Sequence, residues 1–357
     1  METVILGLSG GVDSSVAAEL LKREYRVLAL YLENGAPGGQ EAARAAAARA
    51  GIELAVEDVR GAMEESVCAP FAAAYLRGET PNPCVLCNPA VKMAALERFA
   101  DAHGARYIAT GHYVRRGADG LYMGRPANDQ SYMLCRITPR QAERLLLPLG
   151  IYEKTEVRAL AAELALPAAH KRDSMEICFI PGNDYAAWLD ARGDVSGSGE
   201  YWYGGRCVGR HRGISRCTVG QHRNLGIALG RKVYVGRIEA ETGRVYLVDE
   251  PELWKRRVIV RSLSWLVPPE AEEFDAAVRT RHTRGAPTVC RVRRTANGGA
   301  ELRCAAAVRA PAPGQAAAIY DENGRLLGGG FVVRADNGES ADDASRGQDM
   351  EKRGFGV

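Results

Sequence analysis

The stretch that decides the fold stands at the start of the chain and reads Val4-Ile5-Leu6-Gly7-Leu8-Ser9-Gly10-Gly11-Val12-Asp13-Ser14-Ser15, followed by Val16-Ala17-Ala18-Glu19-Leu20-Leu21. Its apolar run at 4–6 predicts a strand, and the apolar spacing at 16–21 predicts an amphipathic helix. Between them, paired glycines allow close approach of a ligand to the backbone. The hydroxyls of Ser9, Ser14 and Ser15 stand at a helix N-terminus, where N–H groups favour an anion. The stretch therefore predicts a strand, a phosphate-binding loop and a helix.

This loop differs from the two common nucleotide-binding loops. It lacks the Gly-Lys-Ser/Thr ending of a Walker A sequence and the G-x-G-x-x-G of dinucleotide-binding folds. Its wording, Ser-Gly-Gly-x-Asp-Ser-Ser, resembles the pyrophosphate loop of the N-type ATP pyrophosphatases. That resemblance implies an enzyme that binds ATP, adenylates a carbonyl oxygen and releases pyrophosphate.

Strand and helix patterns alternate through the first half of the chain. Further strands are predicted at 26–32, 52–59 and 106–110, and helices at 41–50, 63–76 and 89–103. This alternation predicts an α/β fold with a parallel, doubly wound sheet. Because ligands of such sheets bind at the carboxyl ends of the strands, the opening loop and Gly111-His112 are expected to face one crevice.

The second half has a different texture, with short apolar runs separated by turn residues. We predict a catalytic ATP-binding domain at 1–194, a small β-rich domain at 195–258, a barrel-like β domain at 259–336 and a disordered tail at 337–357. Residues 1–60 hold six Lys/Arg against nine Asp/Glu, whereas residues 201–260 hold twelve against five. A basic β region joined to a nucleotide-binding domain suggests a polyanionic partner.

Composition bounds the compartment and the cysteine chemistry. No run of about twenty apolar residues is present, and the first strand leaves no room for a signal peptide, so a soluble, cytoplasmic protein without membrane contact is expected. Nine scattered cysteines are an odd number and argue against a secreted disulfide framework. They leave reactive or metal-bound cysteines as the alternatives.

Two cysteine segments carry chemistry. Cys84-Val85-Leu86-Cys87 forms a C-x-x-C on a Pro-rich loop before a predicted helix, a position that predicts lowered thiol pKa values and a reactive Cys87. No second C-x-x-C or spaced His pair follows at zinc-site spacing. Cys178 lies in an apolar run, which by itself favours a core residue.

Motifs along the whole chain identify the closer resemblance, which is to the tRNA-specific 2-thiouridylases. The similar wording covers about residues 3 to 335, in the stretches 7–15, 80–88, 109–113, 128–132, 148–150, 154–158, 177–180, 218–227 and 313–315. The resemblance implies ATP-dependent adenylation of the C2 carbonyl of the wobble uridine, followed by displacement of AMP by sulfur. An adenylate makes that displacement feasible, since a carbonyl oxygen is a poor leaving group.

The resemblance also implies roles for individual residues. Cys178 would carry a persulfide, Cys87 would be its partner through a Cys87–Cys178 disulfide or by assisting attack, and Asp13 would help to hold Mg²⁺. The implied ATP contacts are Gly7, Leu8, Ser9, Gly10, Gly11, Val12, Asp13, Ser14, Leu32 and Gly111. The implied tRNA contacts are Asn82, Pro83, Cys84, His112, Asn128, Asp129, Gln130, Arg281, His282 and Gln315.

One departure from the family opens a second sulfur route. Many relatives have Asp, assigned to acid–base work, where this chain has Cys84. Here Cys84, Cys87 and Cys178 give three thiolates, enough to hold a 4Fe-4S iron–sulfur cluster with one iron open to bind hydrosulfide. Persulfide relay and an iron–sulfur cluster therefore stand as alternative sulfur routes. In either case we expect a cysteine desulfurase or a sulfur-relay protein to be the sulfur donor. We expect the enzyme to be a monomer.

Two other functions are compatible with parts of the sequence. A synthetase or amidotransferase of the same ATP pyrophosphatase superfamily, acting on a small molecule, would share the loop but would need neither paired cysteines nor a basic β region. A non-catalytic tRNA-binding protein would not need Ser9, Asp13, Cys87 and Cys178 together.

Overall fold

A computed structural model describes residues 1–169, 171, 177–194, 196–282 and 285–338 of the chain. The predicted tail at 337–357 lies, from residue 339 onward, outside the described residues, as does most of the segment that precedes Cys178. Among the described residues, no helix combines the length and apolar composition needed to cross a bilayer.

The first part of the chain folds around a five-stranded parallel sheet of order β3-β2-β1-β4-β7. An antiparallel hairpin, β5 and β6, lies between β4 and β7 in sequence. The strands are β1 (Thr3–Gly7), β2 (Arg26–Glu33), β3 (Glu53–Asp58), β4 (Tyr107–Ala109), β5 (Val114–Arg116), β6 (Leu121–Met123) and β7 (Leu145–Leu146).

Helices cover both faces of this sheet. They are α1 (Val12–Leu21), α2 (Gly39–Ala50), α3 (Arg60–Met63), α4 (Ala69–Leu76), α5 (Pro83–Cys87), α6 (Ala94–Ala102), α7 (Pro139–Arg144), α8 (Lys154–Glu163) and α9 (Tyr185–Arg192). Two π-helical turns, Glu64–Cys68 and Asn88–Met93, connect α3 to α4 and α5 to α6 without a break. Short 3₁₀ turns lie at Ser131–Leu134, Pro181–Asn183, Ile214–Arg216 and Glu250–Leu253.

The alternation of side chains along β1 builds two cores. Val4 and Leu6 pack with α1, α2 and α8 on one face, whereas Ile5 packs with α6 on the other. The second core also contains residues of the C-terminal barrel, among them Tyr320. All three β1 residues are fully buried, which fits a central strand of a parallel sheet.

Two β units follow. The first is a four-stranded sheet of order β10-β11-β8-β9, and the second is a closed barrel in the order β12-β15-β14-β13-β16-β17. Their strands are β8 (Gly199–Tyr203), β9 (Arg206–His211), β10 (Tyr234–Glu239), β11 (Arg244–Val248), β12 (Trp254–Trp265), β13 (Glu273–Arg279), β14 (Thr288–Arg294), β15 (Ala300–Arg309), β16 (Ala316–Tyr320) and β17 (Leu326–Asp336).

The predicted fold class, a doubly wound sheet followed by β-rich units that end in a barrel, is confirmed. The exact division of the chain stays a prediction. Strand β12 runs from Trp254 to Trp265 and so spans the division predicted between 258 and 259. The first strand of the barrel therefore begins at Trp254.

Candidate active site

The phosphate loop joins β1 to α1 at the carboxyl edge of the sheet. Gly10 adopts φ +72°, and a Cβ there would lie 2.3 Å from the carbonyl carbon of Ala42 at the start of α2. No side chain caps the N-terminus of α1, whose N-cap is Gly11. The backbone N–H groups of this first turn therefore have no side-chain acceptor, as an anion site requires.

The three serines of the loop do different things. Ser9 is exposed, whereas Ser14 and Ser15 are buried and donate to the Gly11 carbonyl at 3.2 and 2.8 Å. The hydroxyl oxygens of Ser9 and Ser14 lie 3.1 Å apart. The hydroxyls of Ser14 and Ser15 therefore stabilise the turn itself. Among the three serines expected to face a phosphate, Ser9 is the exposed one.

Asp13 is held by residues that the sequence did not connect with it. Lys154 Nζ donates to both carboxylate oxygens, at 2.7 and 2.8 Å, and the Tyr113 hydroxyl donates at 2.6 Å. The carboxylate is a hard oxygen ligand of the kind that Mg²⁺ prefers, so the chemistry of Asp13 fits that ion. Both of its oxygens also accept from Lys154, so Mg²⁺ would share this carboxylate with the lysine.

Gly111 and Leu32 approach the loop from neighbouring strands. A Cβ on Gly111 would lie 3.0 Å from the Asp13 carbonyl carbon and 3.1 Å from the Ser14 nitrogen, so this residue packs directly on the start of α1. Leu32 lies near the carboxyl end of β2. Since β1 is flanked by β2 and β4 and the connections run to opposite sides, the crevice between β1 and β4 is the topological switch point of the sheet.

His112 follows Gly111 and is half-buried. Its Nδ1 lies 2.8 Å from the hydroxyl of Thr110. Burial, and then the positive charge of Lys92, hold the pKa of His112 well below its usual range. The imidazole is therefore neutral at physiological pH.

Cys84 and Cys87 lie within a helix rather than on a loop before one. Pro83 is the first residue of α5, and the Asn82 side chain caps this helix by accepting from the Cys84 N–H at 3.1 Å. The fixed φ of Pro83 and the cap explain why the helix starts here, six residues before the predicted start at 89. Asn82 thus has a structural partner, whatever else it contacts.

The expectation of lowered thiol pKa values is wrong for the chain as it stands. Burial raises the pKa of Cys87 to about 11, although Lys92 lowers it in part. Desolvation of the thiol, and then the charge of Cys178, also raise the pKa of Cys84, while Lys92 lowers it in part. Desolvation disfavours the thiolate more than the helix terminus and the lysine favour it.

Cys178 lies near this pair. It is exposed, so the core position favoured by its apolar run alone is wrong. It is close enough to raise the pKa of both Cys84 and Cys87 through its own charge. The next residue, Phe179, packs in the same apolar cluster as Cys87, Leu32 and Met63. The structure thus brings the two cysteine segments together, beside the end of β2.

The predicted metal site is not assembled here. Within the part of the chain that the structure describes, no group of three or more His, Cys, Asp and Glu side chains could hold a metal ion. Cys84, Cys87 and Cys178 therefore do not fit a shared cluster in this conformation, and the 4Fe-4S alternative stays a prediction.

Several residues expected to face tRNA make contacts within the protein. Asp129 is buried, accepts from the N–H groups of Gly124 and Ser131 at 2.7 and 3.0 Å, and pairs with Arg279 of the barrel. Its neighbours Asn128 and Gln130 are half-buried and bond to Tyr152 and Tyr113. Asp129 therefore joins the two domains, and its predicted contact with tRNA is untested.

Gln315 also links two parts of the protein. Its amide nitrogen donates to the Thr80 carbonyl at 2.8 Å, and its amide oxygen accepts from the Tyr132 hydroxyl at 3.2 Å. The Thr80 N–H in turn donates to the Pro313 carbonyl at 2.7 Å. This barrel loop therefore braces the segment that leads into Asn82 and the cysteine helix.

Arg281 and His282 lie between the barrel and the middle sheet. Arg281 is half-buried and donates to the Val219 carbonyl at 2.7 Å, while its Nε is buried without a partner among the described residues. His282 is exposed, and its ring lies 6.1 Å from that of Tyr132. Arg281 thus contacts the middle β unit through Val219, whereas His282 lies beside Tyr132, the tyrosine that donates to Gln315.

Sequence reasoning missed Lys92, Lys154 and Tyr113 as site residues. Lys92 acts electrostatically on Cys84, Cys87 and His112, which makes it the cation common to the site. Lys154 and Tyr113 stand within motifs already noted, but they are 141 and 100 residues from Asp13. No spacing in the sequence connects residues so far apart.

Family models match three consecutive parts of the chain. Residues 2–182 match the tRNA methyl transferase HUP domain, residues 191–249 the tRNA methyl transferase PRC-barrel domain, and residues 255–332 the aminomethyltransferase beta-barrel domain. Together these matches run from the phosphate loop to the last strand of the barrel.

Curated relatives match over nearly their whole length. The tRNA-specific 2-thiouridylase MnmA of Rhodospirillum centenum is 40% identical over 96% of this chain and 94% of its own. The proteins of the same name from Methylorubrum extorquens and Rickettsia akari are 41% and 38% identical, with 93% of this chain covered in each case. Among solved structures, NMN synthetase from Francisella tularensis matches 54% of this chain and 72% of its own at 21% identity, with a TM-score of 0.34.

Proposed function

This chain belongs to the tRNA-specific 2-thiouridylase family, and from that premise we propose how its ATP loop and its cysteines divide the reaction. The chain is a tRNA-uridine 2-sulfurtransferase, and its HUP domain is of the ATP-using kind. The observation that carries the proposal is the grouping of Cys84, Cys87 and Cys178, with Lys92, beside the carboxyl end of β2, the strand next to the one that leads into the phosphate loop.

The first half-reaction belongs to the phosphate loop. The uridine O2 attacks the α-phosphorus of ATP, and pyrophosphate leaves, so that the C2 carbonyl becomes an adenylate. The N–H groups at the start of α1 and the exposed Ser9 hydroxyl would hold the phosphates. Mg²⁺, bound through Asp13, would neutralise charge on them. Neutral His112, next to Gly111, is placed to contact the nucleotide or the base by hydrogen bonding.

The second half-reaction belongs to the cysteines. The terminal sulfur of a Cys178 persulfide attacks C2, and AMP leaves with the former O2. The Cys87 thiolate then attacks the Cys178 sulfur, the S–S bond to the substrate breaks, and its electron pair goes to the sulfur on C2 to give 2-thiouridine. The products are a Cys87–Cys178 disulfide and AMP, so a thiol reductant must restore the dithiol before the next turnover.

The exposure of Cys178 supports a protein as sulfur donor. A cysteine desulfurase or a relay protein can reach an exposed thiol directly, whereas Cys87 is only half-exposed. Cytoplasmic location and a monomeric state complete the proposal as predictions.

Serine substitutions test the assignment of the sulfur-carrying residues. Cys87→Ser and Cys178→Ser should each lower 2-thiouridine formation by more than about a hundredfold, because each removes an atom that forms or breaks a bond to sulfur. Both variants should still bind ATP. Cys207→Ser is the matched control, since Cys207 is also exposed but lies on β9 of the middle sheet. Thiolation at the wild-type level in either variant, measured by nucleoside mass spectrometry, would refute the assignment.

Iron analysis separates the two sulfur routes. Anaerobically purified protein should lack stoichiometric iron and acid-labile sulfide, and Cys84→Asp should retain activity. If the wild type contains iron, and Cys84→Asp loses both the iron and the activity, the cluster route is correct and the persulfide route is wrong.

Pyrophosphate release separates thiolation from the other functions. Release should depend on tRNA. Turnover with a small acceptor and no tRNA would indicate a synthetase, and no turnover at all would indicate a binding protein. Methyl transfer, which the names of the matching domain families suggest, uses an already activated methyl group and gives no role to an ATP pyrophosphatase loop.

A further inference from the structure

A cluster of basic side chains surrounds Tyr234 where the middle sheet meets the barrel. Lys232 Nζ lies 5.2 Å and the Arg309 guanidinium carbon 5.4 Å from the centre of the Tyr234 ring. The His222 ring lies 5.4 Å from the same ring. With Arg223, these residues form what we call the junction patch: His222, Arg223, Lys232 and Arg309. Its members come from both β units, since Arg309 ends β15.

The loop that carries His222 and Arg223 is fixed in place. Gly220 N–H donates to the Val235 carbonyl at 2.7 Å, and Val235 N–H donates to the Gln221 carbonyl at 2.8 Å. The Gln221 side chain accepts from the Thr218 N–H at 2.9 Å. The patch is therefore a preorganised feature of the fold rather than a set of independent side chains.

The charges of the patch are not balanced by its surroundings. The pKa of His222 is lowered first by desolvation and then by the charges of Lys232, Arg223 and Arg309, while Glu250 opposes them. Glu250 lies 3.6 Å from Arg309, which is a loose contact. His222, Arg223 and Lys232 are exposed and Arg309 is half-exposed, so an incoming anion can reach all four.

A buried polar group in the patch is also unsatisfied. Tyr234 is 1% exposed, and its hydroxyl has no hydrogen-bond partner among the described residues. An unpaired buried hydroxyl is destabilising, which is consistent with a polar partner that the protein alone does not supply.

We propose that the junction patch binds phosphates of the tRNA backbone, away from the uridine that reacts. The proposal rests on the proposed function, since it takes tRNA as the substrate. The cations come from two β units and adjoin Arg281, which lies close enough to Arg309 for its pKa to be affected. A spread of exposed cations suits a chain of phosphates better than a single anion, and such contacts fix position without reading sequence.

The salt dependence of tRNA binding tests the proposal. Binding of unmodified tRNA transcript is measured by fluorescence anisotropy over a range of salt concentrations, for wild type and for the double variant Lys232→Gln/Arg309→Gln. If both residues contact phosphate, the slope of log affinity against log salt should fall in magnitude by about 0.9 per contact. Affinity at physiological salt should fall by roughly tenfold.

A matched control comes from the same barrel. Arg291 is also exposed, but it pairs with Glu273 at 2.8 Å and Asp275 at 3.4 Å. Arg291→Gln should leave affinity and slope unchanged, and unfolding curves should show that all variants fold.

Three outcomes are distinguishable. A reduced slope in the double variant alone supports the patch as a phosphate site. An unchanged slope and affinity in the double variant overturn the proposal. If, in addition, thiolation by that variant falls only when a sulfur-donor protein supplies the sulfur, the patch binds that protein instead of tRNA. Failure of the wild type to form 2-thiouridine would instead refute the proposed function, while the binding comparison would still decide the role of the patch.

Discussion

His112 shows how the surroundings of one residue set its chemistry. From the sequence, His112 is expected to contact tRNA. Burial and Lys92, however, hold its pKa well below the usual range, so it stays neutral and suits hydrogen bonding more than proton transfer at physiological pH. Cys87 shows the same effect with the opposite sign, since burial raises its pKa. Most Cys87 is therefore protonated in the free enzyme, so this thiol must lose its proton before it can attack the Cys178 sulfur.

The lowered pKa of His112 has a consequence for stability. Below the ordinary pKa of about 6.5, the unfolded chain takes up a proton at this residue that the folded chain does not. As the pH is lowered below about 6.5, this residue alone should therefore decrease the free energy of unfolding by up to about 1.4 kcal/mol per pH unit. His112→Gln should remove that contribution, so its stability should fall less steeply than that of the wild type between pH 7.5 and 5.5.

Urea unfolding of both proteins at several pH values measures this difference. Parallel curves would show that His112 titrates in the folded chain as it does in the unfolded one.

At the scale of elements, the sequence predicted the sheet well because its signals are local. Strands β1 and β2 are built on uninterrupted apolar runs, and the loop after β1 is a continuous motif. The hairpin of β5 and β6 was missed because three-residue strands carry too short a pattern. The Pro-Asn-Pro sequence favours a loop, and so the predicted helix starts later than the observed one, which begins at Pro83 because Pro is favoured at the first helical position.

The site was predicted only in part, for a related reason. The ATP loop and both cysteine segments are continuous motifs, and the structure brings the two cysteine segments together beside the end of β2. The Lys154–Asp13 pair and the bracing of Thr80 by Gln315 join residues far apart in the chain. The raised pKa of Cys87 depends on burial, which no single motif reports.

Gly10 provides a test at the contact between the loop and α2. Gly10→Ala should abolish measurable ATP binding, because its Cβ would meet the α2 backbone at 2.3 Å and displace either the loop or the helix. Gly38→Ala is the matched control: its φ of +70° is nearly the same, but no atom lies within 4 Å of the new Cβ. The control should lose only about 1–2 kcal/mol for the left-handed backbone and should keep its ATP affinity.

Isothermal titration with ATP and urea unfolding compare the two glycine variants. Equal effects of the two substitutions would mean that the close approach to α2 does not matter.

At the scale of the whole molecule, the barrel is part of the catalytic unit. Tyr320 and Leu326 of the barrel pack in the same core as Ile5 of the sheet. The buried Arg279–Asp129 pair, with side chains 7% and 1% exposed, crosses the same interface. Domain movement at this interface would have to separate a buried ion pair, so we expect the two parts to unfold together.

Asp129→Asn tests this coupling. It should lower the free energy of unfolding by about 3–5 kcal/mol, because it leaves the Arg279 charge buried without its partner. Asp119→Asn is the matched control, since Asp119 also pairs with a barrel arginine, Arg325, at 3.1 Å, but its side chain is 56% exposed. That substitution should leave the free energy of unfolding close to the wild-type value, because an exposed ion pair contributes little.

Calorimetry distinguishes the two aspartate variants. The wild type should give one transition, and Asp129→Asn should give a lower or divided one. A wild-type melting curve for Asp129→Asn would show that the ion pair does not join the domains.

The bracing of Thr80 by Pro313 and Gln315 also sets an order in time. A growing polypeptide folds from its N-terminal end, so the phosphate loop can form while the ribosome is still translating the β units. The segment before the cysteine helix acquires its two bonds to 313 and 315 only after some 235 further residues have been made. A prematurely terminated product would thus retain the nucleotide loop but lack the support for its sulfur-handling helix. Completion of synthesis becomes a condition for assembling that part of the site.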